Sequence, residues 1–353
     1  MKKHFLIYLM IVIFMGNQVH AAMVYWTAKG EIKPLPCDSL LLTVPHDAAA
    51  VVLQGIHETQ AQYVLNTDSA SANCLYFVDE EDEVEGLPSV NVVRNGVAEE
   101  LFIHDDGDFF TPVSFMAEFA LLRITPRRDI EDSPTLSFPY FDTLLLPFDI
   151  DGAMPDNVNG IMPDIWMQAW GYVGDVDNTL YFEETDPEKL KANTPYIVSY
   201  QYGAYGSHVH FYGENKRVEA TRLVEKMGNE YSLYGSTVSW DASDTSYQYE
   251  RSLHPCFTLV SSGTWHEPFR CFVKKASFAT GGEEPQDPSG EETSLNDGLE
   301  VLECCLYASV TGIPKPSQKV ESPSPIIYSL SGQPLRQPQR GVNIIKGKKI
   351  YVR

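Results

Sequence analysis

The chain has no Gly-x-Ser-x-Gly elbow, no His-Glu-x-x-His, no phosphate-cradling loop and no Gly-x-Gly-x-x-Gly fingerprint. Each absence removes a class of chemistry: the elbow nucleophile, the helical zinc protease, the nucleotide hydrolase and the dinucleotide enzyme. Helix signals are scarce. The one helix-like stretch is "DPEKLKA" at 186–192, which opens on Asp-Pro. Basic residues are few: 26 Lys and Arg stand against 48 Asp and Glu, for a net charge of −22. Such a chain repels nucleic acid, whose binding rests on phosphate neutralisation, so no nucleic-acid partner is expected. Beyond the first 21 residues no apolar run is long enough to span a membrane. The six cysteines show no zinc spacing.

What is present begins with a leader pattern. Lys2 and Lys3 precede the apolar run "FLIYLMIVIFMG", and small residues at Val19 and Ala21 mark cleavage after Ala21. This predicts export, with residues 1–21 as a signal peptide and no transmembrane segment once they are removed. The last 39 residues, 315–353, hold eight Lys or Arg and one acid, Glu321, a surplus of seven. That surplus and the two leader lysines, set against −22, leave residues 22–314 at −31.

Between these ends, short apolar runs alternate with turn-forming clusters. Examples are "AAVVLQGI", "NCLYFV", "SFMAEFALLRI", "TPYIVSYQYG" and "CFTLV". Strand-length runs about a dozen residues apart, with Gly, Pro and Asn between them, predict an all-β protein of antiparallel β-sandwich units. The expected division is an N-terminal β region at 22–110 and a β-sandwich domain at 111–280. Residues 281–325 read as an acidic and then Pro-rich linker carrying one strand. A short three-strand segment, "IIYSL", "GVNII" and "KKIYVR", closes the chain at 326–353. The run "DEEDEVEG" at 79–86 reads as a solvated loop. Calcium is its functional alternative, although the run lacks the oxygen spacing of an EF-hand.

Several residue sets carry chemistry. In "SHVHFYGE", His208 and His210 fall on one face of a strand, as two metal ligands do, with Glu214 nearby. "FDIDGAMPDNVNG" places Asp149, Asp151 and Asp156 in one loop, a carboxylate set suited to Ca2+. Asp105, Asp106 and Asp108 of "HDDGDFF" predict a hairpin turn. The aromatics Trp166, Trp170, Tyr196, Tyr200, Tyr202, Tyr205 and Tyr212 offer either a sugar-stacking platform or a sandwich core. Cys256 and Cys271 each open an apolar run around one turn, so an exported chain has a candidate disulfide there. Cys304 and Cys305 point to opposite faces of a strand.

The tail residues Tyr328, Leu330, Gly332, Gln333, Gly341, Ile344, Ile345, Gly347, Lys348 and Lys349 form a pattern. It resembles the type IX (Por) secretion C-terminal sorting domain of exported Bacteroides and Prevotella proteins, in a shorter form. The body, with "LPF" at 146–148, "NTPY" at 193–196 and "PFR" at 268–270 in that order, resembles an uncharacterised surface-protein module of the same bacteria. The resemblance implies secretion machinery as a partner of the tail, and a cell-surface, outer-membrane or extracellular location. It implies no catalytic residues. The expected role is binding or structural, with surface glycans or host proteins as partners. The alternatives are a secreted hydrolase with a site in the sandwich, or a fibre subunit using residues 300–311 as a donor strand.

Overall fold

The strand 48–54, "AAAVVLQ", is apolar at nearly every position because it is covered on both faces. Ala50 and Val52 join one core cluster while Val51 and Leu53 join another. The neighbouring strand Leu75–Val78 divides in the same way, with Leu75 and Phe77 on one side and Tyr76 and Val78 on the other. Such double burial is the mark of parallel pairing, and these two strands are parallel, with Leu53 opposite Val78.

The computed structural model describes residues 22–59, 61–125, 140–155, 166–201, 208–242, 246–250, 255–260, 264–275, 301–307, 327–329, 334–335, 341–345 and 348–352. They are all-β: the one helical element is a single 3-10 turn, Ile56–Thr59. The "DPEKLKA" stretch is turns instead of a helix. Asp186 accepts from Glu188 N and Lys189 N, which caps the chain back on itself.

Two large sheets and two small ones, of two and three strands, make up the described part of the first compact unit, which ends at Ser309. In order across the first sheet lie Gly152–Pro155, Val209–Val218, Phe115–Ile124, Val97–His104, Val92–Arg94, Leu75–Val78, Ala48–Gln54, Ala22–Thr27 and Ile32–Pro34. The chain therefore crosses position 110 within one sheet. Val97–His104 and Phe115–Ile124 are parallel neighbours. Residues 105–108 thus sit in a crossover and not in the hairpin expected for them, since a hairpin joins antiparallel strands. Pairing is mixed where purely antiparallel sheets were expected.

The second sheet runs Tyr140–Leu144, Tyr196–Gln201, Trp166–Val176, Thr179–Thr185, Val301–Tyr307, Cys256–Val260, Ser246–Glu250, Cys271–Lys275, Tyr231–Gly235 and Val224–Met227. Residues of both sheets, among them Phe77, Phe211, Val198 and Tyr200, share the main core with the loop residue Phe148. The second sheet also curls on itself: Trp170, Tyr172, Phe182, Leu233, Phe257 and Leu302 pack together on its other face. Val301–Tyr307 is paired on both edges, parallel to Thr179–Thr185 and antiparallel to Cys256–Val260. Residues 301–307 of the candidate donor segment are therefore an interior strand of this sheet.

Residues 310–353 form a second compact unit. Its described strands close one four-stranded antiparallel sheet, ordered Pro334–Leu335, Ile327–Ser329, Gly341–Ile345 and Lys348–Val352. The short Pro334–Leu335 strand adds to the three read from the sequence.

Candidate functional site

The three body motifs meet at one place. Leu145 N donates to Phe269 O, and Asn193 N donates to Leu146 O, each at 2.9 Å. This brings the "LPF", "NTPY" and "PFR" segments together. Phe269 holds the left-handed conformation (φ 63), uncommon for a bulky side chain. Its N–H donates to Ser236 O at 2.8 Å, so its backbone is pinned on both sides.

That turn delivers Arg270 into the interior. Its Nη2 lies 3.0 Å from Asp105 Oδ2 and 3.5 Å from Asp142 Oδ2, and its Nη1 donates to Thr143 O at 3.2 Å. Burial alone would lower the guanidinium pKa, but Asp142 and Asp105 outweigh it and leave the value raised. Asp105 follows a strand of the first sheet, while Asp142 lies within the second. Arg270 thus ties the two sheets together through charge. Asp142 Oδ2 has no hydrogen-bond partner, and Asp142 lines a small open cleft with Thr143, Gln248, Tyr249, His266, Glu267, Arg270 and Cys271.

Two of the cleft's titratable groups are held away from neutral pH. Burial pushes the Cys271 thiol up to about 12. Burial, with Lys274 adding to it, pushes His266 down to about 4. The His266 ring stacks on Phe272 at 4.0 Å, and its Nε2 lies 3.0 Å from Ser246 Oγ. The native state therefore resists a proton that the unfolded chain accepts near pH 6.5. Between pH 6.5 and about 4 the unfolded chain binds more protons at this histidine, so its contribution to stability is lost as pH drops through that window and is fully present above it. The full loss is about 3 kcal/mol. In urea titrations from pH 7 to 4.5, His266→Gln is expected to show a shallower decline in midpoint than the parent. Equal slopes would contradict this.

The sequence-derived candidates fare differently. Arg123 Nη2 lies 2.8 Å from His208 Nδ1, and Arg123 is the register partner of His210. A guanidinium against His208 disfavours a cation at that histidine. Asp149 accepts from Lys191 Nζ and Ala192 N, each at 2.8 Å. Burial would raise its carboxyl, but the Lys191 ammonium and the Ala192 N–H hold it below the usual range. Asp151 is held low by Lys216 and by Glu214 N. The two carboxylates hydrogen-bond different lysines. Asp156 lies outside the described residues, as do Tyr202 and Tyr205.

Two of the aromatic set take the core reading. Trp170 is 7% exposed and Tyr200 is 1% exposed; both are core, as alternation along a two-faced sheet requires. Trp166 is in the strand Trp166–Val176. Trp265, which none of the sequence motifs includes, is 51% exposed, with Lys29 Nζ 5.3 Å from its ring. Its only sequence signal is the Ser-Ser-Gly-Thr cluster before it.

Cys256 and Cys271 are not bridged. The strand Ser246–Glu250 runs between theirs. Two strand spacings put their Cα atoms about 10 Å apart, beyond the ~7 Å reach of a disulfide. Cys304 packs with Leu306 against the curled interior of the second sheet, and burial raises its thiol. In the tail, Tyr328, Gly341, Lys348 and Lys349 lie on strands, with Tyr328 opposite Ile344. Gly332, Gln333 and Gly347 lie outside the described residues.

No protein-family model matches the chain, and no curated protein or solved structure does either.

Proposed function

We propose that this is an exported protein of the cell surface, with a binding or structural role, delivered by its C-terminal β-unit. The observation that carries this reading is the four-stranded sheet that residues 327–352 close among themselves. The leader pattern at Lys2, Lys3 and Ala21 and the strongly acidic body fit export.

For the binding role, Trp265 is the one large aromatic among the described residues with half its surface in water. It offers an apolar face to a sugar ring or a protein side chain. The hydrolase alternative rests on the cleft at Arg270, whose carboxylates are engaged with that arginine and whose thiol and imidazole are shifted away from neutrality. The test is a glycan and host-matrix array probed with the full chain, with the chain lacking residues 320–353, and with Trp265→Ala. Binding is expected to survive tail deletion and to fall with Trp265→Ala. A null array together with turnover of a glycoside or peptide substrate would favour the hydrolase.

A further inference from the structure

The parallel strands Ala48–Gln54 and Leu75–Val78 end side by side, and the segments leaving their C-terminal ends converge. After the first strand come Gly55, in the left-handed region (φ 69), and the single turn Ile56–Thr59. After the second comes the acidic loop "DEEDEVE", which has six carboxylates in the seven residues 79–85 and no base. The loop is anchored from inside. Gly55 N donates to Asp79 Oδ2 at 2.9 Å, and His57 N donates to Asp82 Oδ1 at 2.7 Å. Arg94 Nη1 donates to the backbone carbonyls of Asp79 and Asp82 at 3.2 and 3.1 Å, which fixes the loop without engaging its carboxylates.

His57, Asp79 and Asp82 are the one group of three metal-ligating side chains among the described residues whose ligand atoms lie within 4.8 Å of one another. A second observation is independent of that clustering. The Asp82 side chain is 0% exposed, its Oδ1 lies 2.7 Å from His57 Nδ1, and its Oδ2 has no hydrogen-bond partner. A buried carboxylate oxygen left unpaired is costly, and native proteins satisfy such atoms with a proton donor, a water or an ion. His57 is 33% exposed, so the group opens to solvent on one side.

We propose that His57, Asp79 and Asp82 form a binding site for a divalent transition-metal ion of the zinc type. One imidazole and two carboxylates suit such an ion, whereas calcium takes oxygen ligands alone. The ion replaces the Nδ1 proton as the partner of Asp82. The imidazole then carries its proton on Nε2, which lies 3.5 Å from Glu81 Oε2. A carboxylate on the far ring nitrogen is the usual outer support of a metal-bound histidine. The remaining acids of the loop raise the local cation concentration. The site joins the ends of two core strands, so a bound ion would brace the loop, and this holds whether or not the protein is exported.

The test is calorimetric titration of Zn2+ into the purified, chelator-stripped full chain, with metal content and thermal melting measured alongside. The expected result is one equivalent of zinc and a higher melting temperature. His57→Gln, at a part-exposed position, is expected to lose at least tenfold in affinity. Asp82→Asn is expected to abolish the melting shift, and His208→Ala/His210→Ala to leave both readouts unchanged. Should Asp82→Asn fail to fold, His57→Gln and Asp79→Asn decide the matter alone. Zinc binding that His57→Gln and Asp79→Asn leave intact, or no binding by the parent chain, would overturn the assignment.

Discussion

Arg270→Ala is expected to lower the unfolding free energy by about 3–5 kcal/mol, the cost of breaking a buried ion pair from one side. The guanidinium is buried and bridges Asp105, just after a strand of the first sheet, and Asp142, within the second, while also holding Thr143 O. Without it two carboxylates stay buried with partial compensation. Asp105 retains Thr125 N at 3.0 Å, and Asp142 retains its own neighbour's Thr143 N at 2.8 Å. Adding Asp105→Asn and Asp142→Asn to Arg270→Leu removes the uncompensated charges and is expected to restore a large part of the loss. Chemical denaturation of the three proteins measures both effects. A loss below about 1 kcal/mol for Arg270→Ala, the range of an exposed pair, would mean that the arginine does not join the sheets.

Asp175→Ala carries the second large effect, about 3–5 kcal/mol, from several buried donors losing a charged acceptor at about 1–3 kcal/mol each. Asp175 is fully buried and accepts from Tyr172 Oη at 2.9 Å and from the N–H groups of Asn229 and Glu230 at 2.7 Å each. Its own carbonyl accepts from the Asn229 side chain. The hub closes the curled second sheet by fixing the turn before Tyr231–Gly235 onto the end of Trp166–Val176. The space around it is full: a Cβ on Gly228 would collide with Asp175 Oδ1, Tyr172 Oη and Tyr231 O. Gly228→Ala is therefore expected to destabilise in the same direction. Both variants are read by urea midpoint, and a midpoint within error of the parent for Asp175→Ala would mean that the hub does not hold the sheet closed.

The strands were legible because side-chain alternation and turn residues are local signals. "SFMAEFALLRI" and "CFTLV" fall on Phe115–Ile124 and Cys256–Val260. Strand partners were not legible, because no local pattern records which run lies beside which. The parallel pairing of Val97–His104 with Phe115–Ile124 is one such case. Asparagines did part of the work unseen: Asn73 and Asn91 are buried and bond the backbone at His104 and Phe102. The Arg270 staple left a faint trace, a charge inside each of two apolar runs, "FRCFV" and "YFDTLLL". A charge in such a run requires a buried partner, and pairing those two charges was the missing step. His57 stood 22 residues before Asp79, and only the parallel pairing of their strands brings them together.

Delivery by the C-terminal β-unit is tested by comparing the full chain with a chain ending at residue 319, in a bacterium carrying type IX machinery. Surface proteolysis and fractionation report where each protein resides, and melting curves confirm that both bodies fold. The expected result is surface exposure of the full chain and retention of the shortened chain inside the envelope at equal expression. Equal surface exposure of both, or a full chain that stays in the cytosol, would contradict such delivery.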